Sequence, residues 1–466
     1  MWPALAAALA IVTEDHAALR AAPRAGATEL ETLWQGDVLE VRAERAGYLK
    51  VYDYRRERGG FLRDDAARAI GVDESDAPEL LAVLRFLRDR PGAEALGISF
   101  GAAYLRAAPA RSLTAEPLDA IAAMAERLAS DASGSRAGHA DVAAHLAVVE
   151  RLGIHMLSFE RNGRMQVCYD GELDRRVLSL PQASDAERAR AALGLTRPEC
   201  IDPSVGVLLR APLDADRRAV LDGLDERQLT ALMRSRLHAR RAAVWAASAY
   251  GAARRGEPAD ALARRALEEL LAVHPEELGE DRQGEYRDAL LRAGAVRWAA
   301  AAAPAASGPL ELETLPGEPG QTCVTLKDAR RGGTSLLRRC TYGIVWAASA
   351  RPIATAHALV LAVQPLETWR ELWVFHESAS GWSVDVLSPG LEDPEEGYVD
   401  FAGFAPATHR LLIAREVKEH GRFSRRFEEL RIENLALVRA ASAPELLADF
   451  GRWQDAAWRR DTLALH

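Results

Sequence analysis

Gly97-Ile98-Ser99-Phe100-Gly101 has the Gly-x-Ser-x-Gly spacing that, between a buried strand and a helix, holds a nucleophilic serine on a strained turn. The approach here, Pro91 to Leu96, does not read as a buried strand, and no His-Gly-Gly-Gly run supplies an oxyanion hole. His139, Asp141 and His145 are metal-capable side chains, but two histidine ligands on one helix face should stand four residues apart. These stand six apart and point to different faces. Cys168 lies in a predicted strand before Tyr169-Asp170-Gly171, not at a helix start where a thiolate would be activated. There is no Cys-x-x-Cys and no phosphate-binding glycine loop. The residues therefore assign no catalytic group, no metal ligand and no cofactor.

Cys168, Cys200, Cys323 and Cys340 are the four cysteines, and four permit three connectivities. Local pairing, Cys168 with Cys200 and Cys323 with Cys340, closes a short excursion in each case and is the expected arrangement. Paired disulfides imply an oxidising compartment such as a periplasm. The alternative is four reduced, buried thiols in a cytosolic chain.

The chain has 466 residues, 48% of them hydrophobic, enough for roughly three domains. Its net charge is −9, which argues against a general nucleic-acid partner. No run of 18 or more apolar residues occurs, so no spanning helix is expected. Met1 to Ala10, MWPALAAALA, is short and apolar with an Ala-x-Ala style end but no basic start. It reads either as the remnant of a signal peptide or as an ordinary extension.

The elements that would position any site begin with Val12 to Arg68. Short β-type runs alternate there with turn residues: Ala18-Leu19-Arg20 before Pro23, Leu33-Trp34 before Gly36-Asp37, Val38 to Val41, Gly47 before Tyr48 to Tyr52, and Gly59-Gly60 before Phe61-Leu62. Several short strands at this spacing indicate a small barrel or sandwich. Tyr52 to Arg58 is a charged loop, a solvated hairpin tip or a place where an anionic wall polymer docks.

This order resembles the bacterial SH3-like (SH3b) domain, on Leu19-Arg20 with Pro23, Gly36 before an alternating strand, Gly47-Tyr48-Leu49-Lys50-Val51, and Gly60-Phe61-Leu62. The resemblance covers about 57 of the 466 residues. It implies a non-catalytic module that binds cell-wall peptide or a protein partner. Trp34, Tyr48, Tyr52 and Tyr54 are the candidate groove residues. The alternative is that Trp34 and Leu49 fill the core while the tyrosines are half-exposed strand residues.

From Pro78 the period becomes helical. Leu80, Leu81, Leu84 and Leu87 form one face, stopped by Pro91-Gly92, and Leu118, Ile121, Met124 and Leu128 form another. Asp131 to Gly138 reads as a loop, and Val142 to Leu152 as a helix. Ile154 to Phe159 and Met165 to Tyr169 flank Asn162-Gly163, a hairpin signal, and Arg176 to Leu180 is expected to add a third strand. Helices resume at Asp185. Leu224 to Arg255 and Ala259 to Val273 form a helical hairpin, similar to a single tetratricopeptide-type unit in Tyr250, Ala266 and Pro275 but off in spacing, and treated as generic. Ala299 to Gly308 reads as a linker.

The last third repeats with a period of about 54 residues, Gly343 to Ser349 answering Gly397 to Gly403, for example. Each unit is four short strands. Tyr398 to Leu412 resembles a propeller blade of the periplasmic translocation-protein type. Two such units, with a third around Cys323, cannot close a ring of four or more, so two packed four-stranded sheets or an open propeller fragment are expected. Ala443 to Trp458 is a closing amphipathic helix.

The expected fold is thus multidomain α+β: an SH3-like β-barrel over 11–68, a mainly helical domain over 76–300 with a β-hairpin near 154–180, an antiparallel β-repeat region over 310–440 and a C-terminal helix over 441–466. The first functional reading is a non-catalytic envelope protein that binds cell-wall peptide or a protein partner. The alternatives are a peptidoglycan-targeted hydrolase with a site in the helical middle, and a cytosolic scaffold with reduced cysteines.

Overall fold

The computed structural model describes residues 8–134, 139–161, 163–280, 282–302, 308–378, 381–390, 396–456 and 458–459. Residues 1–7 of the apolar N-terminal segment, 135–138 of the expected loop, Asn162 of the hairpin turn and 303–307 of the expected linker lie outside them, as do 460–466. The fold is mixed α+β with several antiparallel sheets. The chain divides into two compact units, one of residues 1–204 with 224–229 and one of residues 205–223 with 230–466.

The first unit opens with seven strands: β1 (Ala8–Val12), β2 (Ala17–Arg20), β3 (Glu29–Leu33), β4 (Val38–Arg45), β5 (Tyr48–Asp53), β6 (Arg58–Arg63) and β7 (Ala67–Ile70). Alternation places Leu49, Val51 and Asp53 inside and leaves Lys50 out, with Tyr48 and Tyr52 half-buried. The strand order is β3-β2-β6-β5-β4-β1-β7. The expected closed barrel is not found: β3 and β7 each pair on one side alone, so the sheet is open among the described residues. It still wraps one core, because Val12, Leu19, Leu33, Leu39, Val51 and Leu62 from six of its strands pack together. The start of β1 takes in Ala8 to Ala10, the end of the apolar N-terminal segment.

The helices of this unit are α1 (Ala77–Leu87), α2 (Glu94–Ala107), α3 (Ala115–Ser133) and α4 (Ala140–Glu150), followed by the hairpin β8 (Met156–Arg161) and β9 (Arg164–Tyr169), then α5 (Glu172–Ser179) and α6 (Asp185–Leu195). Ile11 and Ile70, on the outer side of the sheet, pack with Leu80, Leu87, Leu96 and Phe100 of α1 and α2. Sheet and helices therefore share a core. The expected third strand at Arg176 to Leu180 is instead largely the helix α5. Gly171, with φ +80°, turns the chain out of β9, and acidic Glu172 and Asp174 favour a helix start there. Its short apolar run, Val177-Leu178, carries no period that separates helix from strand.

In the second unit, α7 (Val207–Asp222) precedes α8 (Ala231–Arg254), α9 (Asp260–Leu271) and α10 (Gln283–Val296). The helix expected from Leu224 begins at Ala231, because Thr230 caps it by accepting a hydrogen bond from the Met233 N–H at 3.3 Å. The β part comprises β10 (Leu310–Pro316), β11 (Thr322–Asp328) and β12 (Thr334–Thr341), then β13 (Ile344–Ile353), β14 (Ala358–Leu366), β15 (Trp369–Ser378) and β16 (Gly381–Leu387), then β17 (Glu396–Ala405), β18 (Arg410–Glu419), β19 (Arg422–Arg431) and β20 (Leu437–Ala441). A two-residue parallel contact between β15 and β17 joins the two four-stranded meanders.

In the first meander β14 and β15, and in the second β17 and β18, are largely buried on both faces. Leu361, Val363, Trp373 and Phe375 meet Val324 and Leu326 on one side, while Val360, Leu372 and Val374 meet Val399, Leu411 and Ile413 on the other. The outer face of the second meander, Leu412 and Phe427, is covered by Phe450 and Trp458. The closing helix is shorter than expected, α11 (Ala448–Trp453), preceded by a 3-10 turn at Pro444–Leu446.

Cys168 is bonded to Cys200 and Cys323 to Cys340, as local pairing predicts. The second pair sits directly across β11 and β12. Closing loops of 32 and 17 residues removes about 3–4 kcal/mol of unfolded-chain entropy each in the simple chain model.

Candidate functional site

Each sequence motif with catalytic potential takes a structural position. Ser99 is in the interior of α2, 1% exposed, and its hydroxyl donates to the carbonyls of Gly36 at 2.7 Å and Ala95 at 3.0 Å. Its flanking Gly97 and Gly101 are packing residues. A side chain at either would overlap Met124 or Ile121 of α3, so the two glycines let the helices close. The motif is thus a helix-crossing device and not a nucleophile elbow.

His145 contacts Asp15 at 2.7 Å and is 8% exposed, while His139 precedes α4 without a capping side-chain bond and is exposed. The two do not converge, and no group of three metal-capable side chains occurs among the described residues.

One cluster escaped the sequence reading. On β15 and β16, His376 Nε2 lies 2.6 Å from Asp385 and 3.2 Å from Ser383. A Ser-His-Asp relay needs serine and aspartate on opposite ring nitrogens. Here both address the same nitrogen, and turning the ring over would not separate them.

Asp174 is a second such group, 4% exposed at the start of α5. Burial, and then the neighbouring Glu126 carboxylate, push it up to about 8. A raised acid beside a second carboxylate is the pairing that glycosidic cleavage uses, but so little of Asp174 is exposed that substrate has no approach to it.

Among the open clefts of the described residues, one lies on the outer side of the front sheet, where the sequence placed its candidate groove residues. The β5–β6 hairpin tip begins with Asp53, which accepts from the N–H groups of Arg55 at 2.9 Å and Arg56 at 3.3 Å and from the Arg56 guanidinium at 2.6 Å. Burial would raise that carboxyl, but Arg56 and the two N–H groups outweigh it and hold it low. Asp37, 2% exposed, accepts from the Trp34 N–H at 3.0 Å, Arg56 at 3.2 Å and Arg151 at 3.2 Å. The tip is thereby fixed.

Tyr54, at 66% the most exposed large aromatic among the described residues of the unit, stands on this tip. Its ring meets Tyr52 edge-on at 5.0 Å, and Arg42 lies 4.1 Å from the centre of the Tyr52 ring. A hydrogen bond to Tyr54, and then the Arg42 guanidinium, hold Glu40 below the usual carboxylate range. Beside this cluster is an open cleft of about 440 Å³ between the sheet and α2, lined by Tyr54, Arg55 and Glu40 on one side and Ala102, Ala103 and Arg106 on the other.

Of the four candidate groove residues, Tyr54 lines this cleft and Tyr52 meets its ring. Tyr48 stands four residues away on β5, paired with Arg45 and Arg63. Trp34 lies elsewhere: it stacks on His16 at 4.4 Å and packs against the helical core. Arg55 falls in the charged loop singled out from sequence, whereas Arg106 and the wall of α2 were missed. The one signal for them was a glycine- and alanine-rich stretch before an arginine, which carries no amphipathic period. Scans of family models, curated proteins and solved structures found no match to this chain. Among the described residues, no helix is long and apolar enough to cross a membrane.

Proposed function

We propose that this chain is a non-catalytic binding protein of an oxidising compartment, periplasmic or extracellular, whose front sheet takes a cell-wall peptide, with a protein partner as the second choice. The observation that carries this reading is Tyr54, an exposed aromatic held by neighbouring side chains at the rim of a cleft large enough for a small ligand. The order of short runs and turn residues in the sequence, which resembles an SH3b module, supports it. So do the two disulfides. The stacked meanders, blade-like in their four-strand form, fit a second interaction surface.

Because the sheet shares its core with α1 and α2, deleting it would expose Leu80, Leu87 and Phe100 and confuse unfolding with loss of binding. The test therefore uses point variants. In co-sedimentation with purified peptidoglycan, the whole chain is expected to pellet and Tyr54→Ala to bind about tenfold more weakly, the usual scale for losing an aromatic anchor. If the unmodified chain stays in the supernatant, the cell-wall reading fails.

A further inference from the structure

The charge around the cleft does not balance. Arg55, Arg106, Asp53 and Glu40 line it, and Arg42, Arg56, Arg151 and Asp37 pair with one another or with these carboxylates behind the lining. All three carboxylates are engaged: Asp37 by Arg56 and Arg151, Asp53 by Arg56, and Glu40 by Arg42 and Tyr54. Neither Arg55 nor Arg106 has an ion pair among the described residues. Arg55 spends one N–H on the Arg151 carbonyl at 3.1 Å, and burial, then the nearby Arg151 guanidinium, lower its proton affinity. Two arginines without an ion pair thus stand at this cleft in a protein whose net charge is −9. Apart from these charged groups and Ser99 the cleft lining is apolar, with Leu9, Val38, Ala102, Ala103 and Leu152.

We propose that this cleft reads the free carboxylate at the end of an apolar peptide, with Arg55 and Arg106 on the carboxylate and the apolar wall on the last side chains. The inference rests on the cleft being the ligand site. Guanidinium is the group suited to this task, because its fork of donors matches the two carboxylate oxygens. The apolar wall excludes a bare, strongly hydrated anion and favours one that carries hydrocarbon. Arg106 belongs to α2 and Arg55 to the sheet, so the site is a property of the whole unit and not of the front strands alone.

The probes are acetyl-trialanine with a free C-terminal carboxylate and the same peptide as its C-terminal amide, titrated into the whole chain and followed by NMR. The acid is expected to bind at least about tenfold more tightly than the amide. Arg106→Gln, at an exposed position, is expected to reduce the preference for the acid over the amide severalfold. Equal binding of acid and amide would overturn the carboxylate reading while leaving the cleft as a peptide site. An unchanged preference for the acid in Arg106→Gln would overturn it too. If neither peptide binds while peptidoglycan is still pelleted in a Tyr54-dependent way, the inference fails and the cell-wall reading survives.

Discussion

Replacing Asp400 by alanine is expected to destabilise the C-terminal unit by about 3–5 kcal/mol, the scale for stranding a buried partner charge. Asp400, on β17, is 4% exposed and is shared by two arginines. Arg370, on β15 and 0% exposed, bonds to it and also donates to the carbonyls of Gly294 at 2.8 Å and Ala295 at 3.3 Å. Arg297 lies 3.1 Å from the same carboxylate oxygen. The two carbonyls are in the last turn of α10, where the helix dipole also favours a cation. Burial lowers the Arg370 guanidinium to about 10, with Asp400 acting against it, so the site depends on its carboxylate. Asp260→Ala is the control, because its pair with Arg264 is exposed on α9 and is worth roughly 0.5 kcal/mol or less. The midpoint of urea unfolding checks both. A loss at Asp400 no larger than that at Asp260 would show that the buried network does not hold helix and sheet together.

The second large effect is a dependence on pH. Asp174 is raised to about 8 in the fold by burial and by Glu126, with Asp119 adding to the effect and Arg197 and Arg175 opposing it. Its ordinary value is 3.8, so between roughly pH 4 and 8 the folded chain holds a proton that the unfolded chain has lost. Stability therefore falls as pH rises through that window. A shift of this size corresponds to on the order of 5 kcal/mol in full, an upper bound because buried sites relax. Asp174→Asn keeps the shape and removes the titration. It is expected to flatten most of the decline and to be several kelvin more stable than the unmodified chain at pH 8, with little difference at pH 4. Asp288, raised to about 6 by burial and Glu396, supplies a smaller slope of the same sign that the variant retains. Parallel melting curves at pH 4, 6 and 8 decide the matter. Identical slopes for both proteins would mean that Asp174 is not held protonated.

Much of the front sheet was legible in sequence, because β4 and β5 alternate and Gly36 and Gly47, both at positive φ, turn the chain before them; Gly59 and Gly60, expected as a turn, lie instead within β6. The disulfide pairs were legible because each closes locally. What failed did so for particular reasons. α2 is buried on almost every side, Glu94 to Gly101 without a break, so its sequence has no polar face to reveal a helical period. α7 contains Pro212 and exposes Leu208 and Leu209, which breaks both the propensity rule and the burial rule. The cleft was half legible. Tyr52 and Tyr54 stood out as aromatics on a charged hairpin. Arg151 comes to Arg55 across 96 residues of chain, and α2 brings Arg106 to the same cleft, through tertiary packing that no local pattern encodes. Trp34, singled out with the tyrosines, faces the helices because the turn before β4 directs it toward them.

The most direct test of the front cleft is hydrogen exchange of the whole chain with and without soluble fragments of digested peptidoglycan. The prediction is slowed exchange confined to β4, the β5–β6 tip around Asp53 to Arg56 and the last two turns of α2. Slowing found in residues 205–223 or 230–466 instead, or no slowing at the cleft at saturating fragment, would contradict it.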